Sequence, residues 1–440
     1  MKVAKFGGSS LASSETLKKV KEIVGADRER RVIVVSAPGK RFSGDNKVTD
    51  LLYICHAHIK YKVKYDDIWN DIASRYIEMD RECGLSGNIE KELETVRESF
   101  SKKTSVDEIV SRGEYLSAKV IAEYLGFDFV DSAEWLHFRS DGAVDFETTY
   151  ESLRELYTVH KKMVLPGFYG SLPDGRIHTF SRGGSDITGS IAAAALGASM
   201  YENWTDVNGI LMADPKIVDD PRPIKRVTFA ELRDLSYMGA EVLHPEAVFP
   251  VREAGIPLYI KNTGDMHSEG TLIQENFPDE TFDANSKFIT GITGKKHYSI
   301  ITVNKNRITE DLSFQRKLLE VIESYSLLVE HTFQSAGCIA FMIASERLSG
   351  CLYNLVSDIQ KKCGADSVDI SEGVSLVALV GRKMAAPSGI SGRILSALGS
   401  HGINVRTIEY GSDEINIIIG VADEHFREAI RVLYDSFAED

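Results

Sequence analysis

Lys5, Arg182 and Asp186 stand where neighbouring residues give them chemistry to do. Lys5 opens the run Lys5-Phe-Gly-Gly-Ser-Ser10. Val3, Ala4 and Phe6 suit a buried strand, and Gly7 and Gly8 allow a tight turn without a Cβ clash. Ser9 and Ser10 are favourable caps for the periodic segment Leu11 to Val24. A strand, a glycine turn and a helix start aim several backbone N–H groups at one spot, and Lys5 adds a full charge beside it. Taken alone, the stretch reads equally well as a plain βα turn. Ser181-Arg-Gly-Gly-Ser-Asp186 repeats the device, joining a strand to a helix through Gly183 and Gly184. Arg182 carries a planar fork suited to carboxylate or phosphate. Asp186 falls in the first helical turn, either as a helix-start acid or as a group facing Mg²⁺ and phosphate oxygens. Phosphoryl transfer asks for little more than positive charge, N–H donors, Mg²⁺ and an acceptor held in line. Two glycine nests with Lys5 and Arg182 supply that set, so the residues point to a kinase of a small acidic molecule. No Walker A pattern occurs in the chain.

Lesser candidates surround these. Thr205 and Asp206 in Trp204-Thr-Asp-Val-Asn-Gly209 read as ribose or adenine contacts, or as an Asx turn. Glu114 in Ser111-Arg-Gly-Glu-Tyr115 is expected near a helix start, as a partner for a substrate ammonium or as a first-turn acid. Thr49 meets a substrate carboxylate or caps a helix. His56 and His58 are two apart, which does not put both rings on one helical face. No metal site built from protein ligands is predicted.

These residues need a scaffold that brings turns together. Arg31-Val-Ile-Val-Val-Ser-Ala37 is a continuous apolar run, as in a parallel strand covered on both faces. Further strands are expected at Phe127–Asp131, Lys162–Phe168, Ile177–Phe180, Met200–Trp204, Gly255–Asn262 and Thr271–Ile273. A helical region at 60–124 and the Ala-rich helix Ile187–Leu196 lie between them. This alternation indicates a three-layer α/β fold with a mainly parallel central sheet. The chain has 440 residues, 43% of them hydrophobic, enough for two to four domains. No apolar run is long enough to span a membrane. The chain enters a strand at once, so no secretory leader is expected. Five cysteines without a Cys-x-x-Cys pair fit a reduced, cytoplasmic setting. A net charge of −14 argues against general nucleic-acid binding.

Composition turns polar near 275, and 276–289 reads as a linker after a catalytic domain at 1–275. The C-terminal part of the chain is a repeat. Arg316–Met342 aligns on Arg393–Ile419 without gaps, 77 residues later. Each copy reads as a helix, a strand (Leu327–Val329 or Asn404–Arg406), a polar bend and an apolar strand (Ile339–Ile343 or Ile415–Val421). A fixed offset of this kind indicates two copies of one α+β unit.

Lys5-Phe-Gly-Gly-Ser-Ser10, Val34-Val-Ser-Ala37, Ser111-Arg-Gly-Glu114, Phe180-Ser-Arg-Gly-Gly-Ser-Asp186, Trp204-Thr-Asp206 and Ile260-Lys-Asn-Thr263 occur together and in order. As a set they resemble the aspartokinases, over essentially the whole chain. The resemblance implies phosphorylation of the side-chain carboxylate of L-aspartate by ATP with Mg²⁺, the first step towards lysine, threonine and methionine. It implies an amino-acid-kinase fold followed by two interleaved ACT (ferredoxin-like) domains. The first, 304–375, would be inserted into the second, 290–303 plus 376–440. Ending at Asp440, the chain fits a kinase without a fused homoserine dehydrogenase.

Matched residue by residue, Lys5, Gly7, Gly8 and Ser9 take the phosphate-binding role. Thr49, Glu114, Arg182, Gly183, Gly184 and Ser185 match aspartate contacts. Asp186 matches the acid that orients Lys5. Thr205, Asp206, Leu211 and Lys216 fall at the ATP contacts. The chain departs from the family pattern at Leu211, where Tyr is frequent, at Lys216, where Arg is frequent, and at Glu241, where many relatives carry Lys. In such relatives lysine or threonine inhibits through the ACT pair. The equivalent positions here are Ile308 to Ser313, Val329, Glu330 and Ser335, with lysine the expected inhibitor. ACT pairing across subunits implies a homodimer or homotetramer. Two other readings stand beside this one: a kinase of the same fold acting on glutamate, N-acetylglutamate, carbamate or UMP, and an amino-acid sensor working through the ACT pair. Ser111–Glu114 and the C-terminal repeat weigh against the first, and Lys5, Arg182 and Asp186 against the second.

Overall fold

Eight strands form the sheet that carries the predicted site: β1 (Lys2–Phe6), β2 (Arg30–Val35), β3 (Asp128–Phe129), β4 (Met163–Pro166), β5 (Met200–Thr205), β6 (Arg226–Thr228), β7 (Leu258–Asn262) and β8 (Thr271–Gln274). Their order is β6-β8-β7-β5-β1-β2-β4-β3. Every pair is parallel except β7 with β8. The computed structural model describes residues 1–240, 243, 245–277, 289–306, 308–382, 384, 389–411 and 415–438. Val32 to Val35 are all fully buried, as a parallel strand covered on both faces requires. Phe6, Leu17, Ile33, Leu52, Trp69, Tyr76 and Trp204 share one core cluster between sheet and helices. Among the described residues no helix is long and apolar enough to cross a membrane.

The chain divides into two compact units. One takes residues 1–210, 223–236 and the described residues from 243 to 277; the other takes 211–222, 237–240 and the described residues from 289 onward. Residues 211–222 join the second unit through the backbone. Ile292 N–H donates to the Met212 carbonyl at 2.7 Å, and Arg431 Nε donates to the Ile217 carbonyl at 2.7 Å.

The second unit contains an antiparallel six-stranded sheet. Its strands are β9 (Gly291–Asn304), β10 (His331–Gln334), β11 (Cys338–Ala344), β12 (Ser367–Val380), β13 (Thr407–Tyr410) and β14 (Asn416–Ala422), in the order β10-β11-β9-β12-β14-β13. The long strands β9 and β12 each serve two βαββαβ units. Tyr298–Asn304 pairs with β11 and with the start of β12, whereas Gly291–Lys295 pairs with the end of β12, which pairs in turn with β14. The change of partner falls at a register shift between Lys295 and Tyr298, where His297 adopts φ 67°. The boundary implied by the family resemblance, 303–304, falls later in the same strand. Most of the expected linker, 278–288, lies outside the described residues.

Several local expectations are corrected. The first long helix, Ser14–Ala26, is capped by Ser13 in a capping box with Thr16, not by Ser9 or Ser10. Those two sit in a 3₁₀ turn, Gly8–Leu11. The sequence offers four serines within six positions, and Ser13 is the one that caps the helix, its hydroxyl accepting from Thr16 N–H while the Thr16 hydroxyl closes the box. The strands expected at Leu327–Val329 and Asn404–Arg406 begin later, at His331 and Thr407. Leu327 and Val329 pack instead on the second unit's own apolar cluster, which includes Ile301, Phe314, Leu318 and Phe341.

Candidate active site

Lys5 lies near the carboxyl end of β1 with 7% of its surface exposed. Its Nζ is 2.6 Å from Asp186 Oδ1. Asn203 on neighbouring β5 bridges them: its Oδ1 accepts from Lys5 Nζ at 3.4 Å, and its Nδ2 donates to Asp186 Oδ1 at 2.8 Å. Tyr201, two residues earlier on the same strand face, donates its hydroxyl to the Asp186 backbone carbonyl at 3.1 Å. Burial first, and then the Asp186 charge, push the Tyr201 phenol well above its ordinary value, so it stays a donor. Asn203 and Tyr201 are absent from the residues the sequence reading selects. The signal available was a polar pair, Glu202 and Asn203, inside an expected strand of the central sheet.

The glycine turn after β1 is held at both ends. Gly7 N–H donates to the Trp204 carbonyl at 3.0 Å, and Gly39 N–H donates to the Gly8 carbonyl at 2.8 Å. A Cβ on Gly8 would lie 2.8 Å from the Ala37 carbonyl oxygen, and one on Gly39 would lie 2.7 Å from Gly8 C. Two backbone turns therefore touch where no side chain fits. Gly8→Ala is expected to cost about 1–3 kcal/mol and to lower kcat/KM at least about tenfold. Unchanged kcat/KM and unchanged Tm by circular dichroism would show that the loop gives way freely.

The second nest is built differently from the expectation. Ile177–Thr179 is not a strand of the main sheet but pairs with Tyr169–Ser171 in a separate hairpin. The turn after this hairpin reaches Gly183, whose φ of 59° favours glycine. The helix Gly184–Leu196 then starts with Asp186 in its first turn. Phe168 N–H donates to Thr188 Oγ1 at 3.0 Å and fixes the helix start beside the end of β4. Ser185 is buried, while Arg182 is exposed and free to reach a ligand.

Glu114 is not a first-turn acid. The helix begins at Val106 under a Ser105 cap, so Glu114 sits in its third turn, 5% exposed. Serine at 111 resembles a cap, but Ser105 with Asp107 and Glu108 behind it starts the helix earlier. Glu114 Oε2 has no partner. Burial raises its carboxyl to about 8, against the backbone N–H groups of Ala37 and Glu114 that pull the other way. Such an unpaired buried oxygen awaits a donor. Thr49 is the second residue of the helix Val48–Tyr61 and half-buried; Lys47, not Thr49, occupies the cap position.

Thr205 Oγ1 donates to Asp206 Oδ1 at 3.2 Å, just past the carboxyl end of β5. Leu211 and Lys216 belong to the other unit, where the Lys216 N–H donates to Asp214 Oδ1 at 2.8 Å and its side chain is exposed. Glu241 lies outside the described residues. Among the described residues no group of three acidic, histidine or cysteine side chains is placed to hold a metal ion. The first unit thus brings together Lys5, Asp186, Gly7, Gly8 and Ser9 at the carboxyl edge of the sheet, where open α/β sheets bind ligands.

In the second unit, Glu330 is already engaged: Lys295 Nζ lies 3.2 Å from its Oε2. Burial first, and then the Glu330 carboxylate, hold the Tyr237 and Tyr298 phenols above their ordinary value. Ile308 is fully buried. Ser313 Oγ donates to Asp311 Oδ1 at 2.9 Å, Val329 is half-buried, and the exposed Ser335 donates its N–H to the Cys338 carbonyl at 2.9 Å.

Comparison with known proteins gives this geometry its context. Residues 1–262 match the Amino acid kinase family, and residues 377–437 match an ACT domain. Aspartokinase 3 of Bacillus subtilis is 32% identical, with 99% of this chain and 98% of that protein aligned. The crystal structure of Clostridium acetobutylicum aspartate kinase superposes with a TM-score of 0.92 at 43% identity, over 99% of this chain and all of that one. Escherichia coli aspartokinase III, solved in complex with aspartate and ADP, shares the fold at a TM-score of 0.75 and 24% identity, with both chains fully covered.

Proposed function

This chain belongs to the amino acid kinase family and, within it, to the aspartokinases, and from that membership we propose that it phosphorylates the side-chain carboxylate of L-aspartate to give 4-phospho-L-aspartate. The observation that carries the reading is the Lys5–Asp186 ion pair, set between two glycine turns at the carboxyl edge of the sheet. Gly8 and Ser9 offer their backbone N–H groups to the phosphates, and Gly7, its own N–H held by the Trp204 carbonyl, turns the chain beside them. Lys5 follows the charge on the transferring phosphoryl group, and Asp186 with Asn203 fixes its ammonium. Arg182 grips the α-carboxylate of aspartate, with Thr49, Gly183, Gly184 and Ser185 beside it, and Glu114 takes the ammonium. Thr205 and Asp206 contact the nucleotide. Mg²⁺ arrives with ATP, since such ions keep their phosphate and water ligands and ask for few protein groups; Asp186 is the carboxylate placed to meet it.

The catalytic region is read as 1–275, and the ACT pair after 289 as one unit inserted in the other, pairing across subunits as a homodimer or homotetramer. The product would enter the route to lysine, threonine and methionine in the cytoplasm. Lysine is the inhibitor this reading favours, with Ile308, Ser313, Val329, Glu330 and Ser335 around it. Its ammonium must then displace Lys295 from Glu330. A kinase titration with lysine, threonine and both together tests this. Inhibition by lysine, strengthened in Lys295→Met, is expected; no inhibition under any condition removes the claim. Substrate choice is tested by ADP release with L-aspartate, L-glutamate and no acceptor. Turnover only with aspartate is expected, and turnover with glutamate alone points to another member of the fold.

A further inference from the structure

Arg75 is a guanidinium with 1% of its side chain exposed, outside the glycine turns and every other motif of the kinase site. Its Nη2 donates to Asp45 Oδ1 at 2.9 Å, and its Nη1 donates to the Asn46 carbonyl at 2.8 Å. Asp45 is itself buried, and its second oxygen accepts from Arg41 N–H at 3.0 Å and Arg41 Nε at 2.9 Å. These bonds, the Arg41 side chain first among them, hold the Asp45 carboxyl well below the usual carboxylate range. A buried charge costs heavily unless paired, so this arrangement persists only as a set.

What the set holds is the loop 38–47. The loop is closed on itself, since Val48 N–H donates to the Pro38 carbonyl at 3.2 Å. At its entry, Gly39 donates to Gly8 of the first glycine turn. At its exit, one residue past Val48, stands Thr49. Ala37, just before the loop, packs against Gly113, the residue before Glu114, where an added Cβ would lie 2.8 Å from Ala37 Cβ. The next residue after Arg75 braces the same place: Tyr76 OH donates to the Gly113 carbonyl at 2.8 Å, beside Glu114.

We propose that Arg75 is a positioning residue for aspartate: from the helix Asp66–Glu82 it clamps the loop 38–47 through Asp45 and Asn46, and so sets Thr49 and Glu114 around the substrate. The claim rests on the reading of Thr49 and Glu114 as aspartate contacts. Arg75 touches no substrate, so its loss acts through the loop and falls on one substrate more than the other.

The test is steady-state kinetics with both substrates varied, on Asp45→Asn, Arg75→Met and Arg75→Lys, beside Thr49→Val as a control. Asp45→Asn keeps the shape of the loop and is the variant expected to fold best. It should raise the aspartate KM about tenfold and leave the ATP KM within about twofold. Arg75→Lys, which restores the charge but not the second bond to Asn46, should recover part of what Arg75→Met loses. Amide hydrogen exchange at 39–48 should speed up in Asp45→Asn. A normal aspartate KM in Asp45→Asn, with only Tm lowered, overturns the proposal, as does an equal rise in both KM values. If Thr49→Val leaves the aspartate KM unchanged, the substrate reading of Thr49 fails, whatever Arg75 does.

Discussion

Lys5→Ala should lower kcat about a thousandfold while the aspartate KM stays within about threefold. The reason is where the charge is needed. In the ground state the phosphates already meet the backbone N–H groups of the glycine turn. As the phosphoryl group leaves ADP, charge shifts along the line of transfer, and a fixed ammonium counts most there. Lys5 is fixed: it is nearly buried, paired to Asp186 at 2.6 Å and steadied by Asn203. Its removal leaves Asp186 facing phosphate oxygens without a cation between them. Lys5→Arg keeps the charge but not the reach and should recover little. A loss confined to KM would reduce Lys5 to a ground-state binding contact.

Glu114→Gln should raise the aspartate KM about a hundredfold, consistent with losing a buried charge partner for an ammonium. It should also flatten a pH dependence. With its carboxyl raised to about 8, Glu114 is protonated in the free enzyme at neutral pH. An incoming ammonium favours the carboxylate, so aspartate binding releases this proton. Apparent aspartate affinity therefore climbs with pH and levels off above about 8. The sign is opposite for stability without ligand. A raised acid binds its proton more tightly folded than unfolded, so this group's contribution falls as pH rises from its ordinary 4.5 towards 8. Kinetic profiles of both proteins, with thermal melts at each pH, separate the two effects. A rise in affinity that survives in Glu114→Gln belongs to some other group.

The two glycine nests were legible because they are local: strand, glycines and helix lie within ten residues, and each sets its own N–H directions. The 77-residue repeat was legible because both copies use one pattern. What escaped was long-range. Asn203 joins Lys5 and Asp186 across 198 and 17 residues, and its place in a strand marks it as polar without naming its partners. Arg75 reads in sequence as one more charge on an amphipathic helix, and only the packed helix shows it buried against a loop 30 residues earlier. Glu114 was found by its motif but misplaced, since a buried mid-helix acid and a first-turn acid look alike until the cap is known. The second nest was placed after a sheet strand because Ile177–Thr179 has strand composition, whichever sheet it joins.

Hydroxylamine trapping of the product is the most direct test of the central claim. An acyl phosphate on the aspartate side chain yields the β-hydroxamate, which fragmentation in a mass spectrometer distinguishes from the α-hydroxamate. With ATP, Mg²⁺ and L-aspartate, the β-hydroxamate should form in step with ADP and be lost in Lys5→Ala. ADP formation without it, an α-hydroxamate, or undiminished trapping in Lys5→Ala would contradict the assignment of this site.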